Sequence, residues 1–123
     1  MDITILNQSD KPIYQQIYEQ VSAQIMKGQL EQGACLPPIR TVARELRVSV
    51  ITVKKAWEEL ERGGFIYAVV GKGCFVAPLN HGEREEKRLT LAAERLQREL
   101  PYYRELGLSL EELVRLVEKY YKE

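Results

Sequence analysis

Ile13, Ile17, Val21 and Ile25 recur every four residues, with Tyr14 and Tyr18 beside them. That spacing predicts a helix with one apolar stripe. Pro12 suits its first turn, where the missing N–H is not needed, and Gly28 stops it. Upstream, Ile3, Ile5 and Leu6 predict a short extended arm within Met1–Asp10. Gln29 to Pro37 reads as a turn and a short extended piece, punctuated by Gly33 and Pro37-Pro38. Ile39, Val42, Ala43 and Leu46 mark the buried face of a second helix from Pro38 to Leu46. After a tight connection through Arg47 and Val48, Ser49 is a good N-cap for a third helix running to about Arg62. Val53, Ala56, Trp57 and Leu60 form its inner face. Two short helices joined by about three residues match the helix-turn-helix unit. Gly63-Gly64 end the third helix, and "FIYAVV" and "CFVA" then flank Gly71-Lys72-Gly73 as a hairpin. The order helix, strand, helix, helix, hairpin is that of a winged helix.

Pro78 to Gly82 reads as a linker, and the remainder is dense in Leu, Glu, Arg and Lys, which favours helix. Leu89, Ala92, Ala93, Leu96 and Leu100 share one face, and Pro101 is expected to kink or end that helix. Gly107 is a second break, and Ser109 with Glu112 predicts a capping box for a final helix. There, Leu110, Leu113, Val114, Leu116, Val117, Tyr120 and Tyr121 are apolar over more than one stripe. The expected architecture is mainly α with a small β wing: a winged helix-turn-helix over residues 1–78 and a two-helix dimerisation tail over 79–123.

Composition narrows the function. No apolar run approaches the ~18 residues of a membrane span, and no signal pattern opens the chain, so a cytoplasmic location is expected, with no membrane partner. Cys35 and Cys74 are far apart in sequence and there is one histidine, His81, so no tetrahedral metal set can be assembled. The two thiols read as small apolar fillers. No catalytic cluster or P-loop spacing is present, no cofactor is implied, and the chain does not read as an enzyme.

Net charge is zero, but its distribution is uneven. Between Pro38 and Phe75 lie seven basic residues (Arg40, Arg44, Arg47, Lys54, Lys55, Arg62, Lys72) against four acids (Glu45, Glu58, Glu59, Glu61). The acids of the third helix come late, leaving its first half positive. A helix fits the major groove, and residues of its N-terminal half reach base edges. Ser49, Val50, Ile51, Thr52, Lys54 and Lys55 occupy that half. Thr52 and the lysines supply donors, whereas Val50 and Ile51 are limited to turn packing or apolar contacts such as a thymine methyl group. Lys72 and Gly73 at the hairpin tip suit close approach to a minor groove. Each basic residue has an ordinary alternative as solvated surface, and Tyr14, Tyr18 and Trp57 read as core or interface.

The segments "PIYQQIYEQVSAQIMKGQL", "LPPIRTVARELRVSVITVKKAWEELERGGFIY" and "GKGCFV" resemble the GntR family of bacterial transcription regulators, and the short tail resembles its YtrA-like subfamily. The resemblance implies that Arg40 contacts phosphate at the start of the second helix. It implies that Ser49, Thr52, Val53 and Ala56 build the recognition helix, and that Lys54 contacts DNA. Gly71, Gly73, Phe75 and Val76 match the family's wing. The departures are specific. Pro38 stands where a serine cap is usual, and Arg47 where a turn glycine is usual, implying a left-handed residue or an altered turn. Val50 stands where relatives often place a guanine-reading arginine, and Ala68, Val69 and Val70 replace a commonly basic strand. These predict fewer polar contacts to DNA.

Such a tail is too small for the ligand domain of larger relatives. Its helices cannot bury an all-round apolar surface alone, so homodimerisation through Leu89, Leu96, Leu100, Leu113, Val117 and Tyr120 is expected. A two-fold dimer presents two recognition helices to an operator of double-stranded DNA. The resemblance further implies a repressor, often of transporter genes, and leaves room for a small-molecule effector, although no convergent polar set marks its pocket. The rival reading is a winged helix used for protein contact through Val50, Ile51, Val69 and Val70. Arg40, Thr52, Lys54 and Lys72 weigh against it.

Overall fold

The computed structural model describes residues 1–123 and divides into two units, Met1–Asn80 and His81–Glu123. The first is built as α1 (Ile13–Met26), α2 (Ile39–Leu46), α3 (Val50–Arg62), β1 (Ile66–Val69) and β2 (Gly73–Val76). The apolar stripe of α1 is realised: Ile17, Val21 and Ile25 are buried, and α1 packs on α3 through Val53, Ala56, Trp57 and Leu60. Phe65 and Ile66 close this core at the head of the wing, with Val76 opposite. Tyr18 meets Phe65 edge to face with ring centroids 6.0 Å apart. Gly63 permits that arrangement, because a Cβ there would lie 2.9 Å from the Phe65 ring.

The wing is an antiparallel hairpin with Ile66 opposite Val76 and Val69 opposite Gly73. Its turn needs Gly71, whose φ of 79° lies in the left-handed region. The predicted extended piece adds a third line of pairing. Cys35 bridges Phe75, the Leu36 amide donates to the Cys74 carbonyl (2.8 Å), and the Val76 amide donates to the Ala34 carbonyl (2.9 Å). The strand alternation puts Cys35 and Cys74 on opposite faces of this small sheet. Cys35 is exposed and Cys74 half-buried, so the thiols are not core fillers. Burial pushes the Cys74 thiol pKa up, helped by the charges of Glu61 and Cys35.

The N-terminal arm is bound by a device the apolar pattern did not announce. Gln16, Gln20 and Gln24 stand one turn apart on α1, and each side-chain amide grips one arm residue through both its N–H and its C=O. Gln24 holds Asp2, Gln20 holds Thr4 (2.8 and 2.7 Å) and Gln16 holds Leu6 (2.8 and 3.0 Å). The three amides imitate the edge of a strand, and the extended period of two residues matches the rise of one helical turn closely enough to repeat.

The second unit consists of α4 (His81–Glu105) and α5 (Leu110–Tyr121). Helix begins at His81, inside the stretch expected to be linker, and α4 runs through Pro101 instead of ending there. Proline removes one bond, to the carbonyl of residue 97, but both residues are exposed, so water can take the freed oxygen and the helix continues. The Ser109–Glu112 capping box forms as expected: the Ser109 hydroxyl accepts from the Glu112 amide and the Glu112 carboxylate from the Ser109 amide. That bonding lowers the Glu112 pKa from its ordinary value. No residue of either helix is buried.

Candidate nucleic-acid interface

The turn between α2 and α3 sets the exposure of the recognition helix. Arg47 adopts the left-handed conformation (φ 58°, ψ 45°) at the end of α2, the first of the two outcomes expected of a non-glycine residue there. A non-glycine residue held there costs roughly 1 kcal/mol or more. Pro38 leads α2 without a side-chain cap, as the sequence implies, leaving Arg40 exposed in the first turn.

Ser49 starts α3 as a working N-cap, its hydroxyl accepting from the Thr52 amide at 3.1 Å. The Ser49 and Thr52 hydroxyls also bond each other at 2.7 Å. Two of the polar groups expected to face DNA are therefore engaged within the cap. What α3 projects outward from its first two turns is Val50, Ile51, Lys54 and Lys55, with Ile51 78 % exposed. At about 100° per residue, Ile51 lies at the middle of the outward arc, with Lys54 roughly 60° to one side and Lys55 roughly 40° to the other. The helix thus carries an apolar centre with a cation on each flank.

Lys55 has a partner that sequence reasoning missed. Its ammonium sits 4.1 Å from the centroid of the Tyr14 ring, in the first turn of α1. Tyr14 was read as core or interface; it is half-buried, and one ring face serves the lysine. No local spacing signals this pair, because only the packing of α1 on α3 brings the two positions together. Arg62, beyond this basic stretch, pairs with Glu59 at 2.9 Å.

At the wing, Lys72 and Gly73 are exposed beside Val70, which is fully exposed at the tip. Glu61, on the last turns of α3, accepts from the Ala68 amide at 3.2 Å and ties the outer strand of the wing to the recognition helix. Tyr67 and Phe75 stack with centroids 5.7 Å apart across the hairpin. All nine residues expected to meet DNA thus lie in the first unit, on the start of α2, the start of α3 and the wing.

The six residues expected to mediate dimerisation lie in the second unit. Leu96, Leu100, Leu113, Val117 and Tyr120 line an open groove of ≈ 700 Å³ between α4 and α5; Leu89 lies outside it and is exposed. The groove is apolar apart from Arg95 and Glu99. No group of three or more metal-ligating side chains occurs, and no helix is long and apolar enough to cross a membrane.

Residues 13–76 match the model of the "Bacterial regulatory proteins, gntR family". The chain is 32 % identical to the HTH-type transcriptional repressor YtrA of Bacillus subtilis, over 90 % of this chain and 85 % of that one. Among solved structures it superposes on a transcriptional antiterminator from Listeria monocytogenes with a TM-score of 0.76 and 34 % identity, covering 98 % of this chain and 90 % of that one. The DNA-binding domain of AraR, in complex with its operator, matches with a TM-score of 0.53 and 28 % identity over 63 % of this chain and 93 % of the domain. Helix order, wing, turn and recognition helix agree with these likenesses, and the chain belongs to the gntR family of bacterial regulatory proteins.

Proposed function

We propose that this chain is a homodimeric, sequence-specific repressor that reads operator DNA with α3 and its wing. DNA-binding regulation of transcription is what the family and the helix-turn-helix establish; the dimer, the contact residues and repression are the proposal. The observation that carries it is the outward face of α3, which presents side chains fit for a groove. Arg40, Lys54, Lys55 and Lys72 are assigned to phosphates, while Val50 and Ile51 meet base edges through apolar contact. Ser49 and Thr52 shape the start of the helix instead of reading bases, and Gly73 lets the wing approach the backbone closely. The AraR domain, of the same winged-helix form, is bound to operator DNA, which supports the reading.

The tail from His81 to Glu123 is assigned to dimerisation, because helices that bury no residue cannot offset their own ordering entropy. Residues 1–78 are then the DNA-binding domain and 79–123 the dimerisation segment, in a cytoplasmic regulator that is not an enzyme. Control of a transporter operon and release by a small effector are the biological setting the family resemblance suggests.

The test is enrichment of duplexes from a random-sequence pool, followed by binding across a salt series. The expected outcome is a two-fold symmetric consensus, with log affinity falling linearly with log salt. No enriched sequence at any salt, together with a tight protein partner, would sink the DNA reading and favour protein contact.

A further inference from the structure

We infer that Tyr14 is a positioning residue for DNA binding: its ring holds Lys55 on the α1 flank of the recognition helix, where the ammonium receives a backbone phosphate. The inference rests on the proposed DNA-binding function and extends the interface from α3 onto α1.

Three observations carry it. The Lys55 ammonium lies 4.1 Å from the Tyr14 centroid, within the range of a cation–π contact. It takes part in none of the ion pairs of the chain, whereas Lys11, the other lysine near this end of α1, is neutralised by Glu19 at 3.2 Å. Finally, α1 has no acidic side chain in its first turn, and neither Glu58 nor Glu59, one turn along α3, is ion-paired with Lys55.

The chemistry of the pair matters. A carboxylate partner would neutralise the lysine and occupy its donors. An aromatic face attracts the cation through its quadrupole and leaves the full charge and the remaining N–H groups available. A long side chain held in one place also loses less rotamer freedom when it meets the phosphate. Position agrees with this role. Lys54 and Lys55 leave the helix about 100° apart, so a helix seated in a groove presents one to each bordering strand. Lys55 reaches its border beside α1, where only Tyr14 fixes its direction.

The test uses the full chain and a fluorescein-labelled duplex enriched from the random pool. Lys55→Met is expected to lower the salt slope by about 0.9 and affinity by close to tenfold near 0.1 M salt, as for one lost phosphate contact. Tyr14→Leu, which keeps apolar bulk, is expected to weaken binding about threefold, and Tyr14→Phe, which keeps the ring face, to bind as the wild type does. In the Lys55→Met background, Tyr14→Leu should cost nothing further. Equal losses from Tyr14→Leu in both backgrounds would overturn the positioning role, leaving a merely structural tyrosine. An unchanged slope in Lys55→Met would overturn the phosphate contact while leaving DNA binding intact. Absence of any binding by the wild type would overturn the functional reading and this inference together.

Discussion

The two units of this chain solve the problem of apolar surface in opposite ways. The first encloses it: Ile17 and Val21 of α1, Val53 and Leu60 of α3, and Phe65 just before β1 are all but inaccessible. The second displays it: Leu89, Leu96, Leu106, Leu110 and Tyr121 are each more than half exposed, and the groove between its helices is open. Helix-forming composition is higher in the second, so propensity does not decide which unit buries its apolar side chains. The difference is that α1, α3 and the wing converge on a common interior, while two helices alone leave much of each apolar face without a neighbour. One unit thus has a closed core, and the other an open apolar face.

The largest test of that contrast is Phe65→Ala, which should destabilise the first unit by about 3–5 kcal/mol in urea melts through loss of a buried aromatic side chain. A change under 1 kcal/mol would show that the core is less closed than its burial indicates. Next, Leu96→Glu combined with Val117→Glu should turn the sedimenting species into a monomer while leaving the melting of the first unit unchanged. A dimer that survives both charges would remove the tail from the interface. Cutting the chain after Asn80 sharpens the same point, because the fragment should melt at a temperature independent of its concentration, unlike the whole protein.

Smaller effects probe the surfaces. Replacing by uracil an operator thymine that meets Ile51 should weaken binding by roughly 0.8 kcal/mol, the scale of one buried methyl group, and should leave Ile51→Ala unaffected. Equal sensitivity in both proteins would place that methyl elsewhere. In the tail, the Glu112 carboxyl is held below its ordinary pKa by Ser109. An acid with a depressed folded pKa contributes stability above its unfolded value, and that contribution disappears as pH falls through the folded value. Helical ellipticity at 222 nm should therefore decline on acidification below about pH 4.3 in the wild type, and less so in Glu112→Gln.

The sequence was most legible where one element decided its own shape. The four-residue stripe of α1, the Ser49 cap, the glycine-bearing hairpin and the Ser109–Glu112 box depend on neighbours within a few positions, and each is present. It was misleading where a local rule met an exposed site. Pro101, expected to kink or end its helix, does not end it where the freed carbonyl is exposed, and Gly82 lies within the first turn of α4 instead of in a linker. It was silent where partners come from different elements. Tyr14 beneath Lys55, and Glu61 bonded to Ala68, become visible only once the helices pack. The candidate interface was thus legible as a set of positions, but the bond between the Ser49 and Thr52 hydroxyls was not. The residues proposed for dimerisation were legible as an apolar pattern whose partner no pattern names.

The glutamine clasp has a consequence for how the protein responds to its surroundings. The amides of Gln16, Gln20 and Gln24 are uncharged, as are the peptide groups they hold. Contacts between neutral dipoles are nearly indifferent to ionic strength, whereas lysine and arginine contacts to phosphate weaken steeply as salt rises. The arm should accordingly stay seated through changes of salt that strip the chain from a nucleic acid. Within the arm, the amides of Asp2, Thr4 and Leu6 should exchange with deuterium more slowly than those of Ile3 and Ile5, giving an alternating signature of the clasp.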